Sequence, residues 1–195
     1  APSFRFLKKK VDPGFVLFLA AIEGVNFQFS ESGEDIILQR VFKNKVNGFY
    51  VDIGAFRPVK YSNTYLLHRF FGWRGINVDA SSEAIALFNK ERPNDINIKA
   101  AVGPEGAERD FWVFNEPATN TLSEENKERQ LLEGKKIRRK EKMVTRTLVN
   151  ILDEYLPENQ EIDFLNIDVE GLDFEVLKTN DWEKYRPKVV LIEDY

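Results

Sequence analysis

Asp163-Phe164-Leu165-Asn166-Ile167-Asp168-Val169-Glu170-Gly171 is a short apolar run that ends in acidic residues and then a glycine. It echoes an earlier run, Gly48-Phe49-Tyr50-Val51-Asp52-Ile53-Gly54-Ala55. A buried parallel strand reads this way when it carries a carboxylate to its C-terminal end and then turns sharply into a helix. In open α/β sheets small ligands bind at that edge. Two such edges in one chain predict a site as well as a core.

Working outward, the neighbouring segments alternate in the same sense. Ser32 is the expected cap of a first helix, with Asp35 at the capping-box position and Ile37/Val41 and Leu38/Phe42 as i,i+4 pairs. Phe49 to Ile53 is a strand, Asn63 to Phe71 a helix stopped by Gly72, and Gly75 to Asp79 the next strand. Ser81 or Ser82 caps a helix that buries Ala84, Ile85, Leu87 and Phe88, and Ile96 to Val102 is a third strand. This β-α-β-α-β order predicts a doubly wound, mainly parallel sheet.

An insertion at 104–142 follows, with a strand near Arg109–Phe114 and a charged helix or loop from Asn120 to Gly134. The basic run Lys135 to Lys140 has no interleaved aromatics, so it reads as a solvated connection, not a nucleic-acid patch. Regular structure resumes with a strand at Met143–Arg146 and a helix capped by Thr147. Next come the Phe164–Val169 strand, helices at Leu172–Lys178 and Asp181–Tyr185, and a last strand, Val189–Ile192, ending at Glu193.

Bulk properties bound the function. A chain of 195 residues with 43% hydrophobic and 13% aromatic content suits one packed domain. The net charge of −4 argues against generic nucleic-acid binding. With no cysteine and only His68, there is no material for a disulfide, a thiolate site, a cysteine nucleophile or a multi-histidine metal centre. The apolar stretch Gly14–Ile22 is too short to span a bilayer, so no transmembrane segment is expected and the expected location is cytoplasmic. Residues 1–28 read as an N-terminal arm, serving as a dimer contact, a membrane-facing arm or a lid, and 29–195 as the α/β domain.

Three constellations carry chemistry. In Asp52-Ile53-Gly54-Ala55 the glycine permits a tight turn and close backbone approach to a ligand, yet the G-x-G-x-x-G of pyrophosphate loops is absent. That favours a ligand without phosphate; the plainer reading is an ordinary strand-to-helix turn. Asp79, at the end of the next strand, suits a ribose diol, and its plainer role is to cap the helix after Ser81. Asp168 and Glu170 form an acidic pair that suits a cationic group, a general base, or a divalent metal with water, and Glu170 equally suits a helix cap. Ser62-Asn63-Thr64, Asn120-Thr121 and Glu193 are lesser candidates, and His68 reads as a packed or surface histidine.

Phe29 to Leu38, Gly48 to Ala55 with Pro58 and Ser62 to Tyr65, and Gly72 to Ala80 follow one another in a specific order. Ala101-Val102-Gly103, Asn120-Thr121, Thr147-Leu148, and Ile162 to Gly171 with Glu175 to Leu177 continue it. Together these segments resemble the FkbM-type family of S-adenosylmethionine-dependent methyltransferases. The resemblance implies a Rossmann-like class I methyltransferase sheet, here without its C-terminal hairpin. It also implies S-adenosyl-L-methionine as cofactor and O-methylation of a sugar, glycan or related natural product.

By the same resemblance Asp52, Gly54 and Ala55 face the methionine part of the cofactor, with Asn63 nearby. Asp79 holds the ribose, with Ala80 a further cofactor-binding residue, Ala101 and Val102 flank the adenine, and Asp168 sits near the sulfonium or the acceptor. Asp168 and Glu170 are the candidate catalytic residues; no metal ligands are assigned. The alternatives from other classes are a nucleotide-cofactor oxidoreductase, disfavoured by the missing glycines, and a non-catalytic α/β binding module.

Overall fold

The computed structural model describes residues 28–193, so the expected N-terminal arm lies almost wholly outside the described residues. In chain order these form α1 (Glu34–Val41), β1 (Phe49–Ile53), α2 (Tyr65–Phe71), β2 (Arg74–Asp79), α3 (Ser82–Glu91), β3 (Ile96–Lys99), β4 (Ala101–Val102) and β5 (Glu108–Phe114). A 3-10 turn at Pro117–Thr119 leads to α4 (Glu124–Leu132), β6 (Ile137–Arg146), α5 (Leu148–Tyr155), β7 (Phe164–Ile167), α6 (Asp173–Lys178) and β8 (Val189–Ile192).

The central sheet has the order β3-β2-β1-β7-β8, and every pairing in it is parallel. The winding direction reverses between β1 and β7, so their C-terminal ends flank a topological switch point, where ligands enter such sheets. This is the Rossmann-like α/β architecture expected from the sequence.

Alternation along β1 builds the two layers. Val51 and Ile53 pack with Ile76, Val78, Leu165 and Ile167 against Leu148, Ile151 and Leu152 of α5 and Val176 of α6. Tyr50 and Phe164 point the other way, into a cluster with Leu38 of α1, Leu66, Leu67 and Phe71 of α2, and Trp73. Burying each such side chain contributes roughly 1.5–3 kcal/mol relative to exposure, so the strand ends beneath the site are held by a full core on both faces. Caps set the helix starts: Ser81 Oγ accepts from Ala84 N and Thr147 Oγ1 from Asn150 N, while Gly72 closes α2 in a left-handed conformation.

Several expectations are corrected. Ser32 does not cap α1; the cap position is Gly33, and Asp35 turns back to accept from Phe29 N and from the Ser30 hydroxyl, both at 2.7 Å. The single strand expected at Ile96–Val102 breaks at Ala100: β3 pairs with β2, and β4 joins β6 and β5 in a second sheet. Nor is the basic run a solvated connection. From Ile137 it is the start of β6, antiparallel to β5, with Lys140 and Lys142 reaching Asp110 and Lys140 lying over the Trp112 ring. Asp181–Tyr185 forms turns closed by the Asp181 carboxylate, not a helix. Leu87, expected in the buried face of α3, is 44% exposed and lines the cleft described next.

Candidate active site

A cleft of about 1060 Å³ opens over the C-terminal ends of β1, β2, β4 and β7, and all the site residues anticipated from sequence except Thr64 line it. They do so in different ways.

Asp52 is almost wholly buried and forms part of the floor. Its carboxylate accepts from Thr64 Oγ1 and from Asn166 Nδ2, each at 2.9 Å, and burial raises its pKa. Asn63 Nδ2 donates to Asn166 Oδ1 at 3.1 Å, which joins Asn63 to the same chain and rules it out of simple capping. The cap-like bond to the Tyr65 amide comes instead from Ser62 Oγ at 3.2 Å.

Gly54 adopts φ +80°, and its amide and that of Ala55 both donate to the Val78 carbonyl, at 2.9 and 3.1 Å. Both amides are therefore satisfied within the protein, and the turn offers its shape, not open donors, to a ligand.

Asp79 is not the cap of α3, a place that Ser81 fills. It accepts from Ser81 N at 2.7 Å and from Phe56 N at 2.9 Å, tying the start of α3 to the loop after β1. A carboxylate offers about four lone-pair sites, so two remain for a ligand in the cleft. Burial, with Asp52 and Glu83 adding repulsion, pushes its pKa up to about 6.

Ala101 and Val102 are buried, and Ala80 packs with Ala101 into a satellite cluster containing Phe111, Val113, Leu122 and Leu172. Phe111, Leu122 and Leu87 extend this apolar wall along the cleft. None of the three was anticipated as a site residue. Phe111 and Leu122 come from the insertion, whose placement over the sheet edge no local pattern reveals.

The acidic end is denser than the sequence pair suggests. Carboxylate oxygens of Asp168, Glu170 and Glu193 lie within 4.8 Å of one another, bringing the end of β8 to the end of β7. Burial, then repulsion from Glu193 and Glu170, pushes Asp168 up to about 9. Glu170 does not cap α6, whose cap position is Leu172 with no side-chain bond; Asp173, the first residue of the helix, instead ties down the acidic turn, accepting from Val169 N at 2.9 Å and Gly171 N at 3.0 Å. Glu170 sits at φ 58°, its carbonyl accepting from Thr121 Oγ1 at 2.7 Å and Asn126 Nδ2 at 2.6 Å, so the insertion braces the acidic turn. Three converging carboxylates stabilise a cation placed among them, whether organic or a divalent metal.

His68 is not an isolated surface histidine; its Nδ1 lies 3.4 Å from the buried Asp95 carboxylate. No helix among the described residues is long and apolar enough to cross a membrane. A family model described as a methyltransferase FkbM domain matches residues 52–195. No curated protein and no solved structure matches the chain.

Proposed function

The chain belongs to the FkbM methyltransferase domain family, and on that premise we propose that it transfers a methyl group from S-adenosylmethionine to a hydroxyl oxygen of a sugar, glycan or related natural product. One observation carries the reading. The Asp79 carboxylate, an apolar wall and a converging set of acids share a single cleft at the switch point of a parallel sheet.

The donor set fits that cofactor. Asp79 offers two free lone-pair sites to a ribose diol, and Ala101, Val102, Phe111 and Leu122 offer an apolar slot for a purine. Asp52, Gly54, Ala55 and Asn63 shape the turn between these groups and the acids. The cofactor carries no phosphate, so a turn whose amides are already satisfied is no obstacle. When bound it supplies an electrophilic methyl group on a cationic sulfur.

The protein's contribution is to align the acceptor oxygen, exclude water and receive a proton. A carboxyl pushed up to about 9 is protonated near neutral pH and is no base in that state. A cation beside it reverses the balance and draws the proton off. Asp168 then becomes a carboxylate in a poorly solvated site, able to accept the hydroxyl proton of the acceptor. Glu170, braced by Asn126, is the second candidate for the same task.

Calorimetric titration with S-adenosylmethionine and S-adenosylhomocysteine, followed by methyl-transfer assays on a panel of sugars and glycolipids, tests the proposal. Binding with transfer to an acceptor oxygen is the expected result. Absence of binding by the folded protein would overturn it.

A further inference from the structure

Arg92 follows the last turn of α3 and is 1% exposed, although nothing in the local sequence marks it. Its Nε donates to the Pro58 carbonyl at 3.0 Å, and Nη2 donates to the same carbonyl and to Ser62 Oγ, the latter at 2.9 Å. Nη1 donates to Thr64 Oγ1 at 2.9 Å and to the Tyr50 hydroxyl at 3.0 Å. Burying a guanidinium is costly unless its donors are satisfied and opposite charge is near. Here the bonds come from both ends of segment 58–64, and the carboxylates of Asp52 and Asp95 supply the charge.

The segment Arg92 grips lines the cleft through Lys60, Tyr61, Ser62 and Asn63. It is conformationally demanding: Phe56 just before it and Tyr61 within it hold φ of 50° and 61°. Non-glycine residues stay there only when surrounding contacts over-determine them. The polar chain then runs outward. Thr64 Oγ1 donates to Asp52, Asn166 Nδ2 donates to the other Asp52 oxygen, and Asn63 Nδ2 donates to Asn166 Oδ1. Asn63 is where the chain meets the cleft from the loop side.

We propose that Arg92 is a positioning residue for the ligand site: by clamping Pro58, Ser62 and Thr64 it sets the path of segment 58–64 and, through Asp52 and Asn166, the orientation of the Asn63 side chain. This rests on the cleft being the methyl-donor site. The residue touches no ligand itself. Its reach comes from a guanidinium's ability to bond several acceptors in one plane, which a lysine ammonium cannot reproduce.

The test is a double-mutant cycle of Arg92→Lys and Asn63→Ala, read as S-adenosylhomocysteine affinity by calorimetry on protein shown to be folded by circular dichroism. Each single change is expected to weaken binding by about tenfold, and the double variant to be hardly weaker than either, since both break one chain. A purely stabilising role for Arg92 predicts a lowered melting temperature with affinity intact, and that result overturns the inference. Additive losses overturn it too. If Arg92→Lys does not fold, Thr64→Val cuts the chain one bond further out and is read in the same cycle with the same outcomes. Wild-type protein that binds no S-adenosylhomocysteine overturns the donor-site reading and this inference with it, whereas wild-type binding with unaffected variants removes only the role of Arg92.

Discussion

A side-chain carbon placed on Gly54 would lie 1.6 Å from the carbonyl oxygen of Asp168. The ends of β1 and β7 thus meet backbone to backbone, and the Asp168 amide donates to the Ile53 carbonyl at 2.9 Å beside this contact. Gly54 is required because the acidic turn occupies the space beside it. The glycine and the carboxylate, read from sequence as two separate signals, are two sides of one junction.

Gly54→Ala is therefore expected to destabilise the whole domain, not only to obstruct a ligand. The left-handed backbone and the forced displacement of the Asp168 turn together cost roughly 2–5 kcal/mol. Urea unfolding measures this as a lowered midpoint. An unchanged midpoint with lost ligand binding would show that the glycine serves the ligand alone.

Asp79→Asn keeps the side-chain shape and one acceptor oxygen. It is expected to weaken S-adenosylhomocysteine binding about tenfold to a hundredfold, the range for losing hydrogen bonds to a charged group. Wild-type affinity is also expected to fall as pH drops through about 6, because the protonated carboxyl accepts fewer bonds. Calorimetry across that range checks both; a flat profile contradicts the assignment of Asp79 to the ligand.

Binding of S-adenosylmethionine near neutral pH is expected to release about one proton, because the cation converts Asp168 from carboxyl to carboxylate. Titrations in buffers of different ionisation enthalpy measure the release directly. S-adenosylhomocysteine, whose sulfur is uncharged, is expected to release less, and Asp168→Asn to abolish the difference. Equal proton release by the two ligands in the wild type would remove Asp168 from the sulfonium's neighbourhood.

Asp168 also links stability to pH. Its folded-state pKa of about 9 lies above that of an unfolded aspartate, near 4, so between these values the folded chain holds a proton that the unfolded chain has lost. Stability contributed in this way is full at low pH and declines as pH rises through the window. Asp168→Asn is expected to flatten the fall in melting temperature between about pH 6 and pH 9 and to be the more stable protein at the upper end. A variant that follows the wild-type slope would show that Asp168 is ionised in the folded state.

The readings that succeeded rest on short-range physics. Continuous apolar runs, a carboxylate before a glycine, and Ser81 or Thr147 as caps are decided by residues within a few positions, so β1, β2, β7 and their helices were legible. The failures have long-range causes. β6 carries alternating cations that make sense only beside Asp110 and Trp112 of β5. Ala100 ends β3 because Ala101 pairs with Thr145, forty-four positions away. Arg92, in a charged helix end before a proline, resembles a solvated residue until the chain from Pro58 to Thr64 folds around it.

From sequence alone follow the parallel sheet, the family resemblance and the acidic and glycine residues at the strand ends, because strand patterning and turn chemistry are written locally. Tertiary structure alone decided which carboxylates meet and what holds them. Asp168, Glu170 and Glu193 converge because β8 pairs beside β7, and Arg92 is buried because segment 58–64 folds around it. Electrostatic energy depends on separation and solvent access, and neither quantity exists before the strands are in register.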